Sequence, residues 1–231
     1  MSPAAGATEY LPIEYVKTGT APAIAREAQH LRVVAGPGVV PLLETSTESL
    51  RLAGARCSLA DVLATRGRLH ADEARGVAIA AARALVRVHA GGLVHGDVKP
   101  ANLLLADDGL WFADFDAAGA PGERRRRRSP GRHQGPTLTA ADDVRSLVFA
   151  VIECATGVVV DPGATWSALD LAALGCRADL AAELALALRR THDAERLAGL
   201  FDQGDARLPS PTAPIGVDST PTIDVNLDDW W

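Results

Sequence analysis

Two stretches of the chain place apolar residues at the three- and four-residue spacing of a helix with one buried face. The first, residues 72–90, begins with acidic residues and stops at Gly91 and Gly92, as expected for a helix with a favourable dipole and a glycine end. The second, residues 142–157, repeats this pattern and also ends at a glycine. We predict that both are helices and that the alanine-rich face of the first is buried.

Shorter apolar runs, which alternate with polar residues or lie between Gly and Pro, predict strands and short helices elsewhere. The predicted strands are 10–17, 36–44 and 49–55, and the predicted helices are 24–34, a short one from Ser58, and one or two within 166–201. Both ends of the chain are small, polar or proline-rich, so we predict a flexible N-terminus at residues 1–8 and a disordered tail at 202–231. The final LDDWW is either a tail without a role or a peptide that docks onto a partner or the domain.

Residues 93–115, between the two long helices, combine two apolar runs, a DDG turn and a regular set of polar side chains. Asp97, Lys99 and Asn102 precede the first run, and Asp114 follows the second. A carboxylate on a tight loop can orient a hydroxyl, and an amide five residues later can turn back to a metal ion. The DDG hairpin would return a second carboxylate to the same metal. The structural alternative is a hairpin whose Asp and Asn residues only cap turns.

Composition narrows the classes of function. A net charge of −6 argues against nucleic-acid binding. No apolar run reaches about 18 residues, and the N-terminus lacks the charged start and apolar core of a signal peptide. Cys57, Cys154 and Cys176 are scattered without CxxC spacing, which indicates reduced thiols. We therefore expect a cytoplasmic protein that binds neither nucleic acid nor membrane.

Lysine use is unusually selective. Of 23 basic residues only two are lysines, Lys17 and Lys99. The ammonium of a lysine contacts a phosphate as a compact point charge, whereas the guanidinium of an arginine contacts it as a planar fork. Lys17 lies near the end of a predicted strand, and Glu27 lies in the second turn of the helix that follows. The two could pair; the alternative is an ordinary surface lysine and a solvated glutamate.

Three motifs carry a resemblance to a known family: HGDVKPAN at 95–102, ADFD at 113–116 and DDVRSL at 142–147. Over residues 10–201 the chain resembles the eukaryotic-like serine/threonine protein kinases of bacteria, N-terminally abbreviated. The resemblance implies an α+β, protein-kinase-like two-lobe fold. Its reduced N-terminal β-lobe would span residues 9–55, and its mainly helical lobe 56–201.

The resemblance also assigns roles in phosphoryl transfer from ATP with Mg²⁺. Asp97 would orient and deprotonate the acceptor hydroxyl, and Lys99 would neutralise the transferred phosphate. Asn102 and Asp114 would hold magnesium. Lys17, paired with Glu27, would position the other phosphates of ATP.

Further roles follow from the same resemblance. The main chain of the hinge would bind adenine; its predicted residues are Leu52, Ala53, Gly54 and Ala55. His95 would pack beneath the catalytic loop as a scaffold, and Asp143 would hold that loop by hydrogen bonds. The triplet Val98-Lys99-Pro100 favours a protein kinase over a small-molecule phosphotransferase.

Four departures distinguish the chain from an ordinary active kinase. The sixteen residues before Lys17 hold only Gly6, so the Gly-rich loop is missing. Asp116 replaces the glycine after Phe115, Gly131 replaces the glutamate of the A-P-E motif, and Gly96 replaces an arginine that receives a regulatory phosphate in many kinases. Three hypotheses remain: a Ser/Thr protein kinase, a pseudokinase that serves as a binding or scaffold module, and a small-molecule phosphotransferase.

The arginine run Arg124–Arg128 has two interpretations. It could recruit an acidic substrate or partner, or bind a phosphate. The alternative is a mobile, self-repelling segment in solvent.

Overall fold

Two small antiparallel sheets and seven helices make up the part of the chain that the computed structural model describes, residues 14–126, 135–202 and 205–210. The strands are β1 (Glu14–Thr18), β2 (Leu42–Thr45), β3 (Ser49–Ala53), β4 (Cys57–Ser58), β5 (Leu103–Ala106) and β6 (Gly109–Phe112). The helices are α1 (Ala21–Val33), α2 (Leu59–Arg66), α3 (Ala71–Ala90), α4 (Ala140–Thr156), α5 (Ala168–Ala173), α6 (Ala178–Arg190) and α7 (Ala194–Phe201). This is the mixed, reduced two-lobe architecture that the sequence predicts.

The N-terminal lobe is one sheet, ordered β1-β3-β2, with α1 packed beside it. Helix α1 buries Ile24, Ala28 and Leu31 against the core. It begins at Ala21, three residues before the predicted start, because a proline in its first turn needs no backbone N–H partner there. Residues 10–13 of the predicted first strand lie outside the described residues.

The second sheet, ordered β4-β5-β6, links the two lobes. Its β5–β6 hairpin turns through the predicted DDG, where Gly109 has a φ of 140°. The amide of Phe112 on β6 donates to the carbonyl of Gly38 at 2.8 Å, and the amide of Val40 donates to the carbonyl of Phe112 at 2.9 Å. The predicted strand 36–44 is therefore divided, since its first half pairs with β6 and only its second half joins the N-terminal sheet.

Helix α3 is the centre of the helical lobe and packs against α4, α7 and β6. Its small side chains let these neighbours approach closely, and the alanines on the predicted face are buried. Residues 166–201 form three helices where the sequence predicts one or two, because Ser167 and Asp193 cap separate starts. No helix in the described ranges is both long and apolar enough to cross a membrane.

An ion pair that the sequence pattern does not predict ties α3 to α6. The Arg75 side chain is 4% exposed, and its Nε and Nη2 atoms lie 2.9 Å from Glu183 and 2.8 Å from Asp179. Hydrogen bonds from Arg177 and Arg75 hold the pKa of Asp179 well below its ordinary value. Burial of the guanidinium is favourable only because both carboxylates are present.

Residues 205–210, within the predicted disordered tail, pack against α3. The Arg207 amide donates to the Asp72 carbonyl at 3.2 Å, and its Nε lies 2.6 Å from the Asp72 carboxylate. Pro209 is buried, and Leu208 packs against the hydrophobic core. The chain passes so close to Gly76 that a Cβ there would lie 2.1 Å from the Arg207 carbonyl oxygen. This close approach explains a glycine in the middle of a helix.

Gly76→Ala and Gly199→Ala should therefore have opposite effects. A Cβ at Gly199, on the exposed side of α7, meets no atom within 4 Å, so alanine there should stabilise the protein by about 0.5–1 kcal/mol. Gly76→Ala should destabilise the protein, because the new Cβ displaces residues 205–210. Thermal unfolding and tryptic cleavage after Arg207 measure this, and cleavage should be several-fold faster in Gly76→Ala alone. Equal cleavage rates in both variants would contradict the docking.

Candidate active site

Lys17 on β1 joins helix α1 to the segment that follows β6. Its Nζ atom lies 2.8 Å from Glu27 Oε2 and 2.6 Å from Asp114 Oδ1. The Glu27 side chain is 2% exposed, whereas that of Asp114 is 41% exposed. Lys17 thus contacts the glutamate with which the sequence predicts that it pairs. The same ammonium also contacts the predicted metal ligand, which lies 97 residues away in the chain.

Burial and charge act in opposite directions on these three groups. Burial opposes the positive charge of Lys17, but the carboxylates of Asp114 and Glu27 outweigh it and raise the pKa of the ammonium above its ordinary value. Burial raises the pKa of Glu27, because Lys17 offsets only part of the desolvation. Burial also acts against ionisation of Asp114, yet the nearby Lys17 keeps the pKa of that carboxyl below its ordinary value. Asp114 therefore stays ionised and suited to a cation.

Lys17→Met should destabilise the protein by about 1–3 kcal/mol at about pH 8, because it leaves the Glu27 carboxylate buried without its cation. A carboxyl whose folded-state pKa lies above its unfolded value binds its proton more tightly in the folded state, so the loss should shrink as the pH falls. Thermal unfolding at about pH 8 and about pH 5.5 measures the difference from wild type. The Lys17→Met/Glu27→Gln double variant is the control and should lack this extra pH dependence. A loss independent of pH in the single variant would contradict the explanation.

The segment after β6 is held against α1 by three contacts besides Lys17. Glu27 Oε1 accepts from the Phe115 amide at 3.1 Å, and His30 Nδ1 lies 3.1 Å from the Phe115 carbonyl. Arg26 Nη2 lies 3.3 Å from Asp116. The aspartate that replaces a glycine after Phe115 therefore pairs with a cation on α1, which the sequence analysis did not predict.

Asp114 itself has a left-handed backbone, with φ 63° and ψ 70°. Among the described residues other than glycine it is the only one with a positive φ. An aspartate tolerates this conformation better than most residues do, but the conformation still costs free energy. Two sets of contacts hold the Asp114 backbone in this conformation: Phe115 contacts α1, and Lys17 contacts the Asp114 carboxylate.

Asp97, Lys99 and Asn102 converge on one loop, as the sequence predicts. Lys99 Nζ lies 2.8 Å from Asp97 Oδ2. The Asn102 amide nitrogen donates to the Asp97 carbonyl at 2.8 Å and to Asp97 Oδ2 at 3.1 Å. Because the amide nitrogen faces Asp97, the amide oxygen is the atom that Asn102 can offer to a cation. A short 3-10 turn, Pro100–Asn102, produces this geometry.

Asp143 on α4 holds the start of this loop. Its carboxylate is 2% exposed and accepts from the amides of His95 at 2.7 Å and Gly96 at 2.9 Å. These are the loop hydrogen bonds that the sequence predicts for Asp143. His89 Nε2, at the end of α3, lies 3.0 Å from the same carboxylate. The contact with His89 was not predicted, since the sequence gives no sign of which way that histidine points.

His95 is fully buried beneath the loop. Its Nδ1 accepts from the Asp97 amide at 3.2 Å, so the ring carries its proton on Nε2, which donates to the Ala113 carbonyl at 3.0 Å. The ring packs between Phe112 and Phe115, with centroids 5.1 and 4.7 Å away. His95 thus connects the loop that carries Asp97 to the segment that carries Asp114, the packing position that the sequence predicts for it.

The predicted hinge is shorter than expected. Leu52 and Ala53 are the last residues of β3; Leu52 is paired with both neighbouring strands, and the Ala53 amide donates to Pro41. Gly54 and Ala55 lie between the two sheets and are half-buried. The connection between the lobes is therefore residues 54–56.

The arginine run is only partly the exposed segment that its composition suggests. Arg124 is exposed, and Arg126 lies 2.7 Å from Glu123. Arg125, in contrast, is buried. Arg127, Arg128 and Gly131 lie outside the described residues.

The side chains present fit magnesium and a nucleotide by their chemistry. Among the described residues no three His, Cys, Asp or Glu side chains converge as metal ligands. The candidate magnesium site is instead one carboxylate, Asp114, and one amide oxygen, Asn102, both of them hard donors that Mg²⁺ prefers alongside water and phosphate oxygens. Lys17 and Lys99 supply the cations that phosphate groups require.

Comparison with characterised proteins gives partial matches to protein kinases. The chain is 42% identical over 85 residues to 3-phosphoinositide-dependent protein kinase 1 of Arabidopsis thaliana, a match covering 34% of this chain and 17% of the relative. It is 36% identical over 112 residues to the serine/threonine-protein kinase PknA of Corynebacterium glutamicum, covering 43% of this chain and 24% of the relative. It is 32% identical over 112 residues to AfsK of Streptomyces coelicolor, again covering 43% of this chain but 14% of that kinase. No protein-family model matches the chain.

The matches cover only part of the relatives, because the chain spans less than a quarter of the length of each of these three proteins. The matched kinases come from a plant and from bacteria. Their agreement accords with the fold and with the assembled loop around Asp97. Over the matched residues the chain is similar to serine/threonine protein kinases.

Proposed function

We propose that the chain is an ATP- and Mg²⁺-dependent protein kinase that phosphorylates serine or threonine hydroxyls. One observation carries the proposal: the Lys17 ammonium lies within 3 Å of both Glu27 and Asp114. This contact brings the lysine suited to nucleotide phosphates together with the carboxylate suited to magnesium. Three charged groups held together at one place in the fold, one ammonium and two carboxylates, are the kind of cluster that marks functional sites.

The chemistry that these residues can perform follows from their positions. Asp97 accepts the proton of the acceptor hydroxyl while the hydroxyl oxygen bonds to the γ-phosphorus of ATP. The bond between the γ-phosphorus and the oxygen that bridges it to the β-phosphorus breaks, and ADP leaves. Lys99, 2.8 Å from Asp97, balances the charge on the transferred phosphoryl oxygens. When bound to Asp114 and Asn102, Mg²⁺ would supply further charge neutralisation. Lys17 orients the remaining phosphates, held in turn by Glu27.

The acceptor that suits the arginine run is an acidic segment of a cytoplasmic protein. Arg124 is exposed, and further arginines follow it in sequence. A cluster of positive charge favours acceptor hydroxyls flanked by Asp or Glu.

A pseudokinase that acts as a binding module is the second candidate, and the N-terminal sheet favours it. Within residues 14–126 that sheet has three strands, ordered β1-β3-β2, and includes no glycine-rich hairpin that could cover the phosphates. In kinases such a hairpin covers the ATP phosphates. Nucleotide affinity is therefore the property that separates the two candidates.

A thermal-shift titration with Mg-ATP, combined with transfer of radiolabelled γ-phosphate to an acidic serine peptide, a basic protein and an aminoglycoside, tests the proposal. A kinase should show a saturable shift and label the peptide in preference to the basic protein. A shift without transfer, unchanged by Asp97→Asn, would indicate the pseudokinase. Label on the aminoglycoside alone would indicate a small-molecule phosphotransferase, and the absence of any shift would exclude ATP as the substrate.

A further inference from the structure

Arg125 is a buried arginine whose side chain none of the roles above uses. Its side chain is 1% exposed. The guanidinium donates to the Gly96 carbonyl at 2.7 Å, to the Gly135 carbonyl at 3.2 Å and to the Thr137 carbonyl at 3.5 Å, and it lies 3.0 Å from the Asp142 carboxylate. A guanidinium carries five N–H donors and is costly to bury without partners. Here three carbonyls and one carboxylate provide them.

These contacts belong to two paired arms of chain, residues 119–126 and 135–138, which cross over the catalytic loop. Their backbone hydrogen bonds run from Arg125 to Pro136 (2.9 Å), from Leu138 to Glu123 (2.8 Å), from Gly122 to Leu138 (2.8 Å) and between Gly119 and Val94 (3.1 and 2.8 Å). In sequence these arms take the place of the segment that regulates many kinases. The backbone pairing fixes the position from which Arg125 enters the interior.

The peptide between Gly96 and Asp97 is the point on which these contacts converge. Arg125 binds its carbonyl oxygen, and His95 Nδ1 accepts from its N–H at 3.2 Å. The preceding amide, that of Gly96, is bound by Asp143. Gly96 has a φ of +81°, and a Cβ there would lie 2.7 Å from the Ala117 carbonyl oxygen, so an arginine in its place would strain the loop. The loop therefore has no cation of its own at this position, and Arg125 supplies one from outside.

We propose that Arg125 is a positioning residue, which holds the Gly96–Asp97 peptide so that the Asp97 carboxylate faces the acceptor without any phosphorylation of the arms. The inference rests on the proposed kinase function. In regulated kinases a phosphate on this segment pairs with an arginine of the loop. In this protein the arginine is on the segment, and its anionic partner is the permanent carboxylate of Asp142. The site should consequently be assembled at all times.

Two variants of Arg125 test this, with Arg83→Met as a matched control for removing an arginine charge, because Arg83 is 66% exposed on α3. Arg125→Met should lower kcat by about tenfold to a hundredfold, the usual effect of a small misplacement of a catalytic group, and should leave KM for ATP within about twofold. Arg125→Lys keeps the charge but can reach fewer acceptors, so it should recover part of kcat. Treatment of the wild-type protein with a phosphatase should leave kcat unchanged.

Hydrogen–deuterium exchange separates failure of this inference from failure of the proposed function. In Arg125→Met the peptide covering residues 93–102 should exchange faster than in wild type or Arg83→Met, whether or not the protein transfers phosphate. If wild type transfers nothing but this exchange difference is present, the kinase proposal fails and the positioning contact stands. Unchanged exchange in residues 93–102, a kcat of Arg125→Met equal to that of Arg83→Met, or loss of activity after phosphatase treatment would each overturn the inference.

Discussion

Asp97→Asn is expected to lower phosphoryl transfer by about a hundredfold to ten-thousandfold, the usual contribution of a general base, while Mg-ATP binding stays within about threefold. The Asp97 carboxylate is largely buried between Lys99 and Asn102. Asparagine has the same shape but cannot take up the proton of the acceptor hydroxyl. Initial rates of label transfer and a nucleotide titration measure the two quantities separately.

The control for this variant is Asp107→Asn. Asp107 lies in the exposed β5–β6 turn, with its side chain 77% exposed, and the change removes the same charge from the same short region of chain. Its transfer rate should match that of wild type. Undiminished transfer by Asp97→Asn would show that another group accepts the proton, or that the labelled product arises elsewhere.

Asp143→Asn is expected to have the largest effect on stability, a loss of about 3 kcal/mol. The Asp143 carboxylate accepts from two backbone amides with different oxygens, so the NH₂ of an asparagine must face one of those N–H groups. That leaves at least one backbone N–H buried without an acceptor, and an NH₂ in the place of Oδ2 would face both the His95 amide and His89. Urea unfolding measures the loss. The control Asp108→Asn, in the exposed β5–β6 turn, should change stability by less than about 0.5 kcal/mol.

A second readout links Asp143 to catalysis. Because Asp143 holds the residues just before Asp97, Asp143→Asn should also lower kcat. The KM for ATP should change less than kcat does. A variant that unfolds at the wild-type urea concentration would show that the buried carboxylate contributes little. A variant that is destabilised yet fully active would show that the loop keeps its conformation through His95 and Arg125 alone.

The sequence predicted the elements whose signals are local. Helices α3 and α4 carry long runs of regular apolar spacing, and glycines and acidic residues mark their ends. The loop with Asp97, Lys99 and Asn102 lies within six residues, so its pattern is visible in one line of sequence. The hairpin after it was predicted because a DDG turn has few alternatives.

The contacts that the sequence did not predict join residues far apart in the chain. Asp116 was recognised from the sequence only as a replacement for a glycine, yet it pairs with Arg26, 90 residues before it. Arg125 looked like one member of a solvated run, since its neighbours have the same side chain. It is buried because Gly96 and Asp142 are placed to receive it. Such partners depend on tertiary packing, and no local pattern encodes them.

The lobe boundary shows a similar limit. The run 36–44 is apolar enough for one strand, but residues near Gly38 pair with β6 in the other sheet. Backbone hydrogen bonds of this kind do not depend on the type of side chain, so the sequence does not show which sheet a segment joins. For the same reason the predicted hinge was placed two residues early, over Leu52 and Ala53.

The most direct test of the central claim is a single-turnover measurement, in which the full chain in excess over labelled ATP is mixed with an acidic serine peptide and Mg²⁺. Assembly of Lys17, Asp97, Asn102 and Asp114 into one working site predicts acid-stable label on the serine. The label should require Mg²⁺ and be lost in Asp97→Asn. Failure of the wild-type chain to bind or consume ATP under these conditions would contradict the claim.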